Sequence, residues 1–457
     1  MQIKAILCTD SDLGVSKIIN GKSTIPWDCL VDKQFFADII SSFEPKSEYN
    51  FICGKTTYDV IRDLKMFKGA QFSILGSFQL PDYVSYDIFT DSLDNALRQD
   101  KINIVLGGHR VYNELFENYP NVEIIINVLK DSYNCDGKLA NANIFNSNLE
   151  DPYVIPRIVL PELTQYVTPG LYRNDEEQYI RLLEELINET ELIKTRNGMV
   201  KKNNNTSLTF HMENGFPLLT TKKILFSSVF EELMFFIRGQ TNSKILEEKG
   251  INIWRGNTTR EFLDLRGLDY PEGEMGPMYG HQWRNFGGVD QIQNVIEILK
   301  TDPTSRRICL TSYNPIDLNK GVLEPCHGLS IIFNTKHVEG NTYKLNLMQT
   351  QRSADMFLGL PYNIASYALM LHLIADYVTK NSKFTYIPDT LYVVISDYHL
   401  YENHIAQAKR QCLRLPKKFP TLKILENNVK NIGDYELSNI SLENYNPYGY
   451  IKADMLP

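Results

Sequence analysis

The sequence predicts an α/β domain with a mostly parallel sheet over residues 1–150, a linker at residues 151–171 and a larger α+β domain over residues 172–457. Short runs of Ile, Val and Phe alternate with helical segments in the first third of the chain, which is typical of parallel α/β sheets. A stretch rich in Asn, Pro and Ser then runs from Asn141 to Leu171. Beyond it, long apolar helices and strands are segregated without βαβ regularity.

The strands of the first domain are predicted from runs that are apolar at consecutive positions, as in strands covered on both faces. These runs are Ile3–Cys8, Tyr49–Cys53, Gln71–Leu75, Ile102–Leu106 and Val122–Val128. Helical candidates lie between them, including Asp32–Ser41 and Leu93–Gln99.

The second domain is predicted to open with a helix near Asp175, because an apolar stripe follows at Tyr179, Leu182, Leu183 and Leu186. The polar run Lys201–Asn205 is predicted to be a hairpin tip rather than a binding patch. Two segments are apolar on nearly all sides and are predicted to be buried helices, namely Ser228–Ile237 and Ile364–Val378. Strands are predicted at Ile331–Asn334, Tyr343–Gln349 and Leu391–Ile395.

The net charge of the chain is −8, from 47 Lys and Arg against 55 Asp and Glu, so no general basic field attracts nucleic acid. The seven cysteines are odd in number and contain no CxxC pair, which argues against a disulfide framework and a thiolate metal site. We see no signal-peptide pattern, and charges interrupt every apolar run before about 18 residues accumulate. We therefore expect a soluble cytoplasmic protein with reduced thiols, no metal and no membrane partner.

Cys326 lies in Leu323-Glu-Pro-Cys-His-Gly, directly before a predicted strand. A lone cysteine is usually a small inert hydrophobic residue, and this interpretation is kept for the other six. A nucleophilic cysteine needs a thiolate, and therefore nearby cations. Candidate cations occur at Arg196, at Ser305-Arg-Arg and at Arg352, where a surface position is less natural because a predicted strand has just ended.

Glu232 is a carboxylate one turn from Val229 and Phe236 on a helix predicted to be buried. Burial raises the pKa of a carboxyl toward the range useful for proton transfer, although a hydrogen-bonded structural carboxylate explains the residue equally well. Asn363 is expected to open a helix, so an N-cap is its simplest interpretation. Its amide also presents a donor beside an acceptor, which matches the O4 and N3–H edge of uracil and opposes that of cytosine.

Seven sequence blocks follow one another across residues 172–457: Phe216-Pro-Leu-Leu-Thr-Thr-Lys, Glu231-Glu-Leu, Gly276-Pro-Met-Tyr-Gly-His-Gln-Trp-Arg, Ser305-Arg-Arg, Pro325-Cys-His, Gln351-Arg-Ser-Ala-Asp-Met-Phe-Leu-Gly-Leu-Pro-Tyr-Asn and His399-Leu-Tyr. In these blocks the chain resembles thymidylate synthase. The resemblance implies methylation of dUMP to dTMP, with methylene-tetrahydrofolate giving both the carbon and a hydride. It also implies a homodimer.

By this resemblance, Cys326 adds to C6 of uracil, Glu232 manages protons through ordered water and Tyr279 assists proton removal from C5. The residues implied to bind dUMP are Arg196, Arg306, Arg307, Arg352, Ser353, Asn363, His399 and Tyr401, with Arg306 and Arg307 reaching the site of the partner subunit. Trp254 and Asp355 are implied to contact folate.

Three positions depart from the pattern of this family. Arg255 stands where the family usually has Asp, and Asn197-Gly-Met replaces a Thr-Gly-Thr pattern after Arg196. Tyr398 is bulkier than the usual residue before His399. These departures concern folate affinity and turnover more than the type of reaction.

In the first domain, Asp32 lies five positions after Trp27 and begins a predicted helix, where a carboxylate also suits the helix N-terminus. Gly107-Gly-His-Arg-Val-Tyr joins a predicted strand to a helix, a shape that can seat phosphate, although two glycines alone are a weak signal. Together with Gly14 and Cys53-Gly-Lys-Thr-Thr-Tyr, these features make residues 1–140 resemble dihydrofolate reductase.

The second resemblance implies NADPH-dependent reduction of dihydrofolate to tetrahydrofolate. It implies that Asp32 hydrogen-bonds the pteridine and supports its protonation, and that Phe36 contacts folate. Cofactor contacts are implied for Gly14, Lys55, Thr57, Ser77, Gly107, Gly108 and Arg110.

The first domain departs from its family more than the second. Ala70 stands where the family has an arginine for the folate α-carboxylate, and His109 replaces a glycine. The loop between Gly14 and Pro26 is lengthened, and no terminal hairpin is evident after Asp136.

The leading interpretation is a bifunctional enzyme, since a synthase of this kind leaves dihydrofolate that must be reduced for reuse. The departures keep open a synthase whose reductase-like domain is a non-catalytic module for cofactor binding or assembly. Pyrimidine hydroxymethylation is disfavoured by Asn363, and a nucleic-acid-binding regulator gains nothing from a charge of −8.

Overall fold

The structure is a computed structural model, and it describes residues 1–20, 22–76, 87–119, 121–140, 154–169, 174–426 and 428–454. The chain divides into two compact units. The first comprises Met1–Arg173 together with Lys409–Leu415, and the second comprises Asn174–Ala408 together with Pro416–Pro457.

The first unit contains strands that alternate with helices, as its apolar runs predict. In chain order the elements are β1 (Ile3–Thr9), β2 (Gly14–Ile19), β3 (Lys22–Thr24), α1 (Leu30–Ser41), β4 (Tyr49–Gly54), α2 (Lys55–Ile61), β5 (Phe72–Leu75), β6 (Ile88–Thr90), α3 (Leu93–Ala96), β7 (Ile102–Val105), α4 (His109–Asn118), β8 (Glu123–Leu129), β9 (Gly137–Lys138), β10 (Ile155–Val159) and β11 (Leu163–Val167). All five predicted strands are present, each within two residues of its expected ends.

The main sheet of this unit has the order β10-β11-β8-β1-β7-β4-β5-β6. Its pairs from β8 to β6 are parallel, whereas β8 with β11 and β11 with β10 are antiparallel. The predicted α/β class with a mostly parallel sheet is therefore confirmed. In the lengthened loop after Gly14, β2 and β3 form a small sheet with β9.

The segment expected to be a linker, residues 151–171, instead supplies two strands of this sheet. β10 and β11 form the hairpin that the sequence does not reveal after Asp136, and β11 extends the sheet beside β8. The reason lies in burial: Ile158, Leu160 and Leu163 are almost completely buried, so this short stretch adds to the core despite its prolines. The first unit accordingly reaches Arg173.

The second unit combines a six-stranded sheet with buried helices. Its elements are α5 (Glu176–Asn188), β12 (Ile193–Thr195), β13 (Gly198–His211), α6 (Phe226–Ile237), α7 (Lys244–Glu247), α8 (Arg260–Leu265), α9 (Tyr279–Asn285), α10 (Gln291–Thr301), β14 (Cys309–Leu310), β15 (Ile331–Glu339), β16 (Thr342–Asp355), α11 (Gly359–Lys380), β17 (Thr385–Tyr401), α12 (Ile405–Leu413), β18 (Thr421–Ile424) and β19 (Ile440–Glu443). The residues of α12 from Lys409 onward are assigned to the first unit.

The larger sheet of this unit has the order β12-β13-β17-β16-β15-β14, in which only β16 and β17 pair in parallel. Helix α11 packs against β16, β17 and α6, and it is buried along its length. The predicted α+β class and the two buried helices are confirmed.

The predicted hairpin tip at Lys201–Asn205 is wrong. These residues lie inside β13, which pairs with β17 from Val200 to His211. The turn falls earlier, at Arg196 and Asn197 between β12 and β13. Pairing with β17 satisfies backbone groups of this run, so a polar segment can remain extended where its side chains point to a cavity or to solvent.

Glu176, at the start of α5, is completely buried and organises the loop that follows β13. Its Oε2 accepts from the Thr220 N–H at 2.8 Å and from the Thr220 hydroxyl at 2.6 Å. Its Oε1 accepts from the Thr221 N–H at 2.9 Å and from the Thr221 hydroxyl at 2.6 Å. Four donors therefore compensate for the removal of this carboxylate from water.

We expect Glu176→Gln to reduce the free energy of unfolding by about 2–4 kcal/mol, because the amide nitrogen must face a backbone N–H donor. Denaturant unfolding followed by tryptophan fluorescence measures the change. Glu191→Gln, at an exposed position, is the matched control and should stay within about 0.5 kcal/mol of the wild type. Equal stability of the two variants would contradict the role given to Glu176.

Candidate active sites

Cys326 in the second unit lies against Tyr279, the first residue of α9. The backbone N–H of Cys326 donates to the Tyr279 hydroxyl at 3.0 Å, and the hydroxyl oxygen lies 3.6 Å from the Cys326 Sγ. Because the oxygen already accepts the backbone N–H, its own hydrogen is available to the sulfur. The structure thus brings together the proposed nucleophile and the tyrosine proposed to act on C5.

Arg352 is held beside the cysteine by the backbone of the same loop. Its Nε donates to the Pro325 carbonyl at 3.0 Å and its Nη2 to the Glu324 carbonyl at 3.1 Å. The backbone N–H of Arg352 in turn donates to the Cys326 carbonyl at 3.0 Å. The guanidinium is therefore positioned by the chain segment that carries the thiol.

Opposing effects act on the pKa of Cys326. Burial raises the pKa of the Cys326 thiol above its ordinary value, although the Tyr279 hydrogen bond and the Arg352 charge both lower it. The Arg352 charge therefore acts in the direction that the sequence predicts, toward the thiolate, but burial has the larger effect. Burial prevails because desolvation penalises the charged form more than one guanidinium stabilises it.

Glu232, on α6, accepts a hydrogen bond from the Trp254 Nε1 at 2.9 Å. Burial raises the pKa of Glu232 to about 7, against the smaller lowering effect of this bond. The Glu232 charge also raises the pKa of Cys326, so the two groups interact electrostatically. A carboxyl with this pKa can take up or release a proton at neutral pH.

His327 and Tyr367 complete the wall behind the thiol, and the sequence assigns neither a role. The His327 ring stacks on Tyr279 with a centroid distance of 4.4 Å, and its Nδ1 lies 2.7 Å from the Tyr367 hydroxyl. Burial lowers the pKa of His327 to about 3, so its ring is neutral. The position of His327 next to Cys326 in the sequence could have indicated that it lies at the site. No sequence feature could have indicated this for Tyr367, which lies within a buried helix.

A cavity of about 430 Å³ opens beside Arg352. Five of the residues predicted to bind dUMP line it, namely Arg196, Arg352, Ser353, His399 and Tyr401. They come from the turn between β12 and β13, from the end of β16 and from the end of β17. Two guanidinium groups therefore line one cavity, and guanidinium groups can donate paired hydrogen bonds to an anion.

Lys202 also lines this cavity. The sequence analysis predicted a hairpin tip at this polar run and assigned Lys202 no role in binding. Its Nζ lies 2.7 Å from the Asp397 Oδ2, while the other carboxylate oxygen lies 3.1 Å from the His399 Nδ1. Asp397 thereby connects a third cation with the histidine proposed to bind ribose. The alternation of side chains along a strand was the only usable signal, since it places Lys202 on the face of Val200.

Other predicted residues lie outside this cavity. Arg306 and Arg307 are exposed on the segment between α10 and β14. Asn363 lies one turn inside α11, so the N-cap interpretation is wrong. Instead, Asp355 accepts from the Phe357 and Leu358 N–H groups at 2.9 Å and 3.2 Å, before α11 begins.

Asp32 in the first unit is the third residue of α1. Its Oδ1 accepts a hydrogen bond from the Asn127 Nδ2 at 2.9 Å. Burial raises the pKa of Asp32 above its ordinary value, whereas hydrogen bonds from Asn127 and Cys8 lower it. Phe36 lies one helical turn further along, 6.2 Å from the Phe67 ring.

The predicted cofactor residues meet where two parallel strands end. β4 and β7 are neighbours, and the Gly54 N–H donates to the Gly107 carbonyl at 2.8 Å. Lys55 and Thr57 then lie in the first turn of α2, while Gly108 precedes α4 and Arg110 is exposed in its first turn. Gly107 has a φ of +120°, which favours glycine.

Two further cofactor predictions have different outcomes. Gly14 lies at the start of β2, where a Cβ would come within 2.6 Å of the Cys135 sulfur, so no larger residue fits. Ser77 lies outside the described residues. Ala70 is partly buried, and its methyl side chain offers no charge at the position of the family's arginine.

Within the described ranges, no group of three or more His, Cys, Asp and Glu residues could hold a metal ion. None of the helices in these ranges is both long and apolar enough to span a membrane. All seven cysteines are free thiols.

Comparison with known proteins assigns both halves of the chain. The thymidylate synthase family model matches residues 177–457. A bifunctional dihydrofolate reductase-thymidylate synthase of Glycine max is 32% identical in an alignment of 522 positions, gaps included, that covers 99% of this chain and 94% of the relative. Thymidylate synthase of Ascaris suum is 40% identical over 301 residues, which cover 62% of this chain and 97% of the relative.

Other bifunctional relatives are matched only in part. The bifunctional dihydrofolate reductase-thymidylate synthase of Paramecium tetraurelia is 40% identical over 298 residues, which span 62% of this chain and 61% of the relative. The corresponding alignment spans 55% of the Zea mays protein. With a family model over the second unit and a relative aligned along nearly the whole length, the chain belongs to the bifunctional dihydrofolate reductase–thymidylate synthase family.

Proposed function

We propose that the second unit converts dUMP to dTMP with methylene-tetrahydrofolate as the donor of carbon and hydride. The observation that carries this proposal is that Cys326 lies against the Tyr279 hydroxyl, while Arg352, which the backbone on either side of Cys326 holds, lines a cavity with three cationic side chains. This arrangement offers a nucleophile and a proton-transfer group next to an anion site.

The Cys326 sulfur forms a bond to C6 of the uracil ring, and C5 becomes the carbon nucleophile that attacks the methylene group of the folate. The C5 proton then leaves with the help of Tyr279, and the bond from the methylene carbon to the folate nitrogen breaks, which leaves an exocyclic methylene group on C5 and tetrahydrofolate. A hydride from tetrahydrofolate reduces this group to methyl as the C6–S bond breaks, which gives dTMP, dihydrofolate and the free cysteine. Because the pKa of the thiol is raised, its proton must leave as substrate binds. Glu232, with a pKa of about 7, is the group suited to exchange protons with ordered water there.

The phosphate of dUMP binds in the cavity that contains Arg196, Lys202 and Arg352. Guanidinium groups suit a dianionic phosphate because they donate paired hydrogen bonds. Arg306 and Arg307, which are exposed and outside the cavity, extend to the phosphate of the partner subunit. A homodimer through the sheet fits the exposed Tyr392 and Val394 side chains on β17, at 40% and 38% exposure.

Uracil is selected by the side chain of Asn363. Its amide makes no hydrogen bond to another described residue, so both the donor and the acceptor are free to pair with the pyrimidine. This supports methylation of dUMP rather than the related hydroxymethylation of a cytosine nucleotide.

We propose that the first unit reduces dihydrofolate to tetrahydrofolate. NADPH fits the edge formed by Gly54, Gly107 and Gly108, where backbone N–H groups and the start of α4 are suited to phosphate. Lys55 and Arg110 would hold the phosphates, and NADPH supplies a hydride when bound. Asp32, whose pKa is raised by burial, is the carboxyl that would support protonation of the pteridine.

Ala70 affects how strongly this unit binds its substrate. Loss of a paired guanidinium–carboxylate contact costs on the order of 2–4 kcal/mol of binding, so we expect a high KM for dihydrofolate. If the wild type did not reduce dihydrofolate, the first unit would be a non-catalytic module.

Cys326→Ala should abolish dTMP formation, with a loss of at least about 10³-fold, because no other group at the site can form the bond to C6. Release of tritium from [5-³H]dUMP measures the reaction. Binding of dUMP, measured by calorimetry, should persist because the phosphate pocket is intact. Cys309→Ala, at an exposed thiol, is the control. Turnover by Cys326→Ala at the level of this control would overturn the assignment of the nucleophile.

Asn363→Asp should narrow the preference for dUMP over dCMP by about 10- to 100-fold, since a mismatched buried donor or acceptor costs about 1–3 kcal/mol. The ratio of kcat/KM for the two nucleotides is the measurement. Asn346→Asp, which alters an amide paired with Asn334, serves as the control. An unchanged ratio in Asn363→Asp would count against this residue as the selector.

The isolated reaction of the first unit can be measured in the full chain by the dihydrofolate-dependent loss of NADPH absorbance. We expect Asp32→Asn to lower this rate by at least about 10²-fold, because proton donation in the site depends on the carboxyl. Asp63→Asn, with an exposed carboxylate, is the control. Absence of any oxidation by the wild type would refute the reductase proposal.

A further inference from the structure

A continuous chain of buried hydrogen bonds leads from a buried arginine to Asp32. The Arg157 Nη1 donates to the Gln165 Oε1 at 2.8 Å, and the Gln165 Nε2 donates to the Asn127 Oδ1 at 3.3 Å. The Asn127 Nδ2 then donates to the Asp32 Oδ1 at 2.9 Å. The three side chains before Asp32 are at most 4% exposed, so solvent does not interrupt the chain.

We propose that Arg157 and Gln165 are positioning residues, which fix the orientation of the Asn127 amide and thereby direct a hydrogen-bond donor at Asp32. This inference rests on the proposed reductase function of the first unit. It assigns a role to β10 and β11, the hairpin that carries Arg157 and Gln165 and that the sequence had concealed.

The direction of the chain follows from the chemistry of its first member. A guanidinium can only donate hydrogen bonds, so the Gln165 oxygen must face Arg157 and the Gln165 nitrogen must face Asn127. The Asn127 oxygen is then the acceptor, which leaves its nitrogen toward Asp32. An amide that is free to rotate by 180° could equally present its oxygen, which would repel the carboxylate and favour the protonated acid.

The guanidinium itself is well held in this unit. The Arg157 Nη1 also donates to the Cys412 carbonyl at 2.8 Å, and its Nη2 donates to the Arg414 carbonyl at 3.3 Å. The Gln165 Nε2 donates to the Leu413 carbonyl at 3.1 Å. Both positioning side chains are thus fixed by carbonyls of the segment Lys409–Leu415, which belongs to the first unit, and neither can turn without losing them.

The other groups that act on Asp32 do not replace this donor. Cys8, on β1, contributes a thiol hydrogen bond, and Lys33 contributes a charge from an exposed position on α1. The Cys29 thiol contacts the Asp32 backbone rather than its carboxyl, and burial raises the pKa of both Cys29 and Tyr112. The Asn127 amide beside Asp32 therefore affects how readily this carboxyl ionises. Arg157 and Gln165 determine whether the amide presents its nitrogen, which lowers the pKa of Asp32, or its oxygen, which raises that pKa.

The test is the pKa of Asp32 itself, read from its ¹³Cγ resonance in full-length protein labelled at aspartate. The resonance is assigned by its loss in Asp32→Asn. We expect the pKa of Asp32 to rise by about one unit in Arg157→Met and in Gln165→Glu, because neither variant imposes the native direction on Asn127. The same upward shift should appear in the pH dependence of kcat/KM for dihydrofolate.

Gln165→Glu keeps the size of the side chain and its bond to Arg157, so it remains informative if Arg157→Met fails to fold. Arg157→Lys keeps a donor at this position and should retain the wild-type pKa of Asp32. Ser73→Ala removes another buried hydrogen bond of the same sheet, to Asn50 at 2.8 Å, and should reduce stability without moving that pKa.

An unchanged pKa of Asp32 in folded Gln165→Glu would overturn the proposal, as would an equal shift in Ser73→Ala. The resonance does not depend on turnover. If the wild type failed to oxidise NADPH while the shifts appeared as expected, the reductase proposal would fail and the orienting role of Arg157 and Gln165 would stand.

Discussion

Removal of water from a few ionisable side chains governs the chemistry of both units. Burial raises the pKa of Cys326, that of Asp32 and, to about 7, that of Glu232. In each case nearby donors or cations oppose the shift without cancelling it. Burial therefore shifts all three groups toward their neutral forms, and it brings Glu232 into the range where a carboxyl exchanges protons at neutral pH.

The cationic cavity of the second unit is lined in part by side chains that contact one another across neighbouring strands. Lys202 pairs with Asp397 across β13 and β17, and Asp397 also contacts His399. The bulky Tyr398 points elsewhere, where its hydroxyl donates to the Glu185 Oε2 at 3.0 Å. Lys202, Asp397 and Tyr398 thus all have side-chain partners on neighbouring elements.

Local pattern was sufficient for most elements of the fold. Consecutive apolar residues located the parallel strands, and all-round apolarity located α6 and α11, because burial on every side leaves a direct imprint on composition. The pattern failed at β10 and β11, where prolines obscured a strand pair, and at Lys201–Asn205, where a polar run hid an interior strand. Strand pairing in both places depends on partners that are remote in sequence. The periodicity of a segment does not identify such partners.

The sequence by itself determined the two families and the order of the units, and it supplied the candidate residues for thiol, acid and phosphate chemistry, because these require particular functional groups in particular motifs. Only the tertiary structure decided the burial of Glu232 against Trp254, the presence of Lys202 in the cavity and the connection of Arg157 to Asp32. Each of these depends on desolvation or on contact between side chains on different strands. Such quantities arise when the chain closes on itself and removes water from groups that are far apart along it.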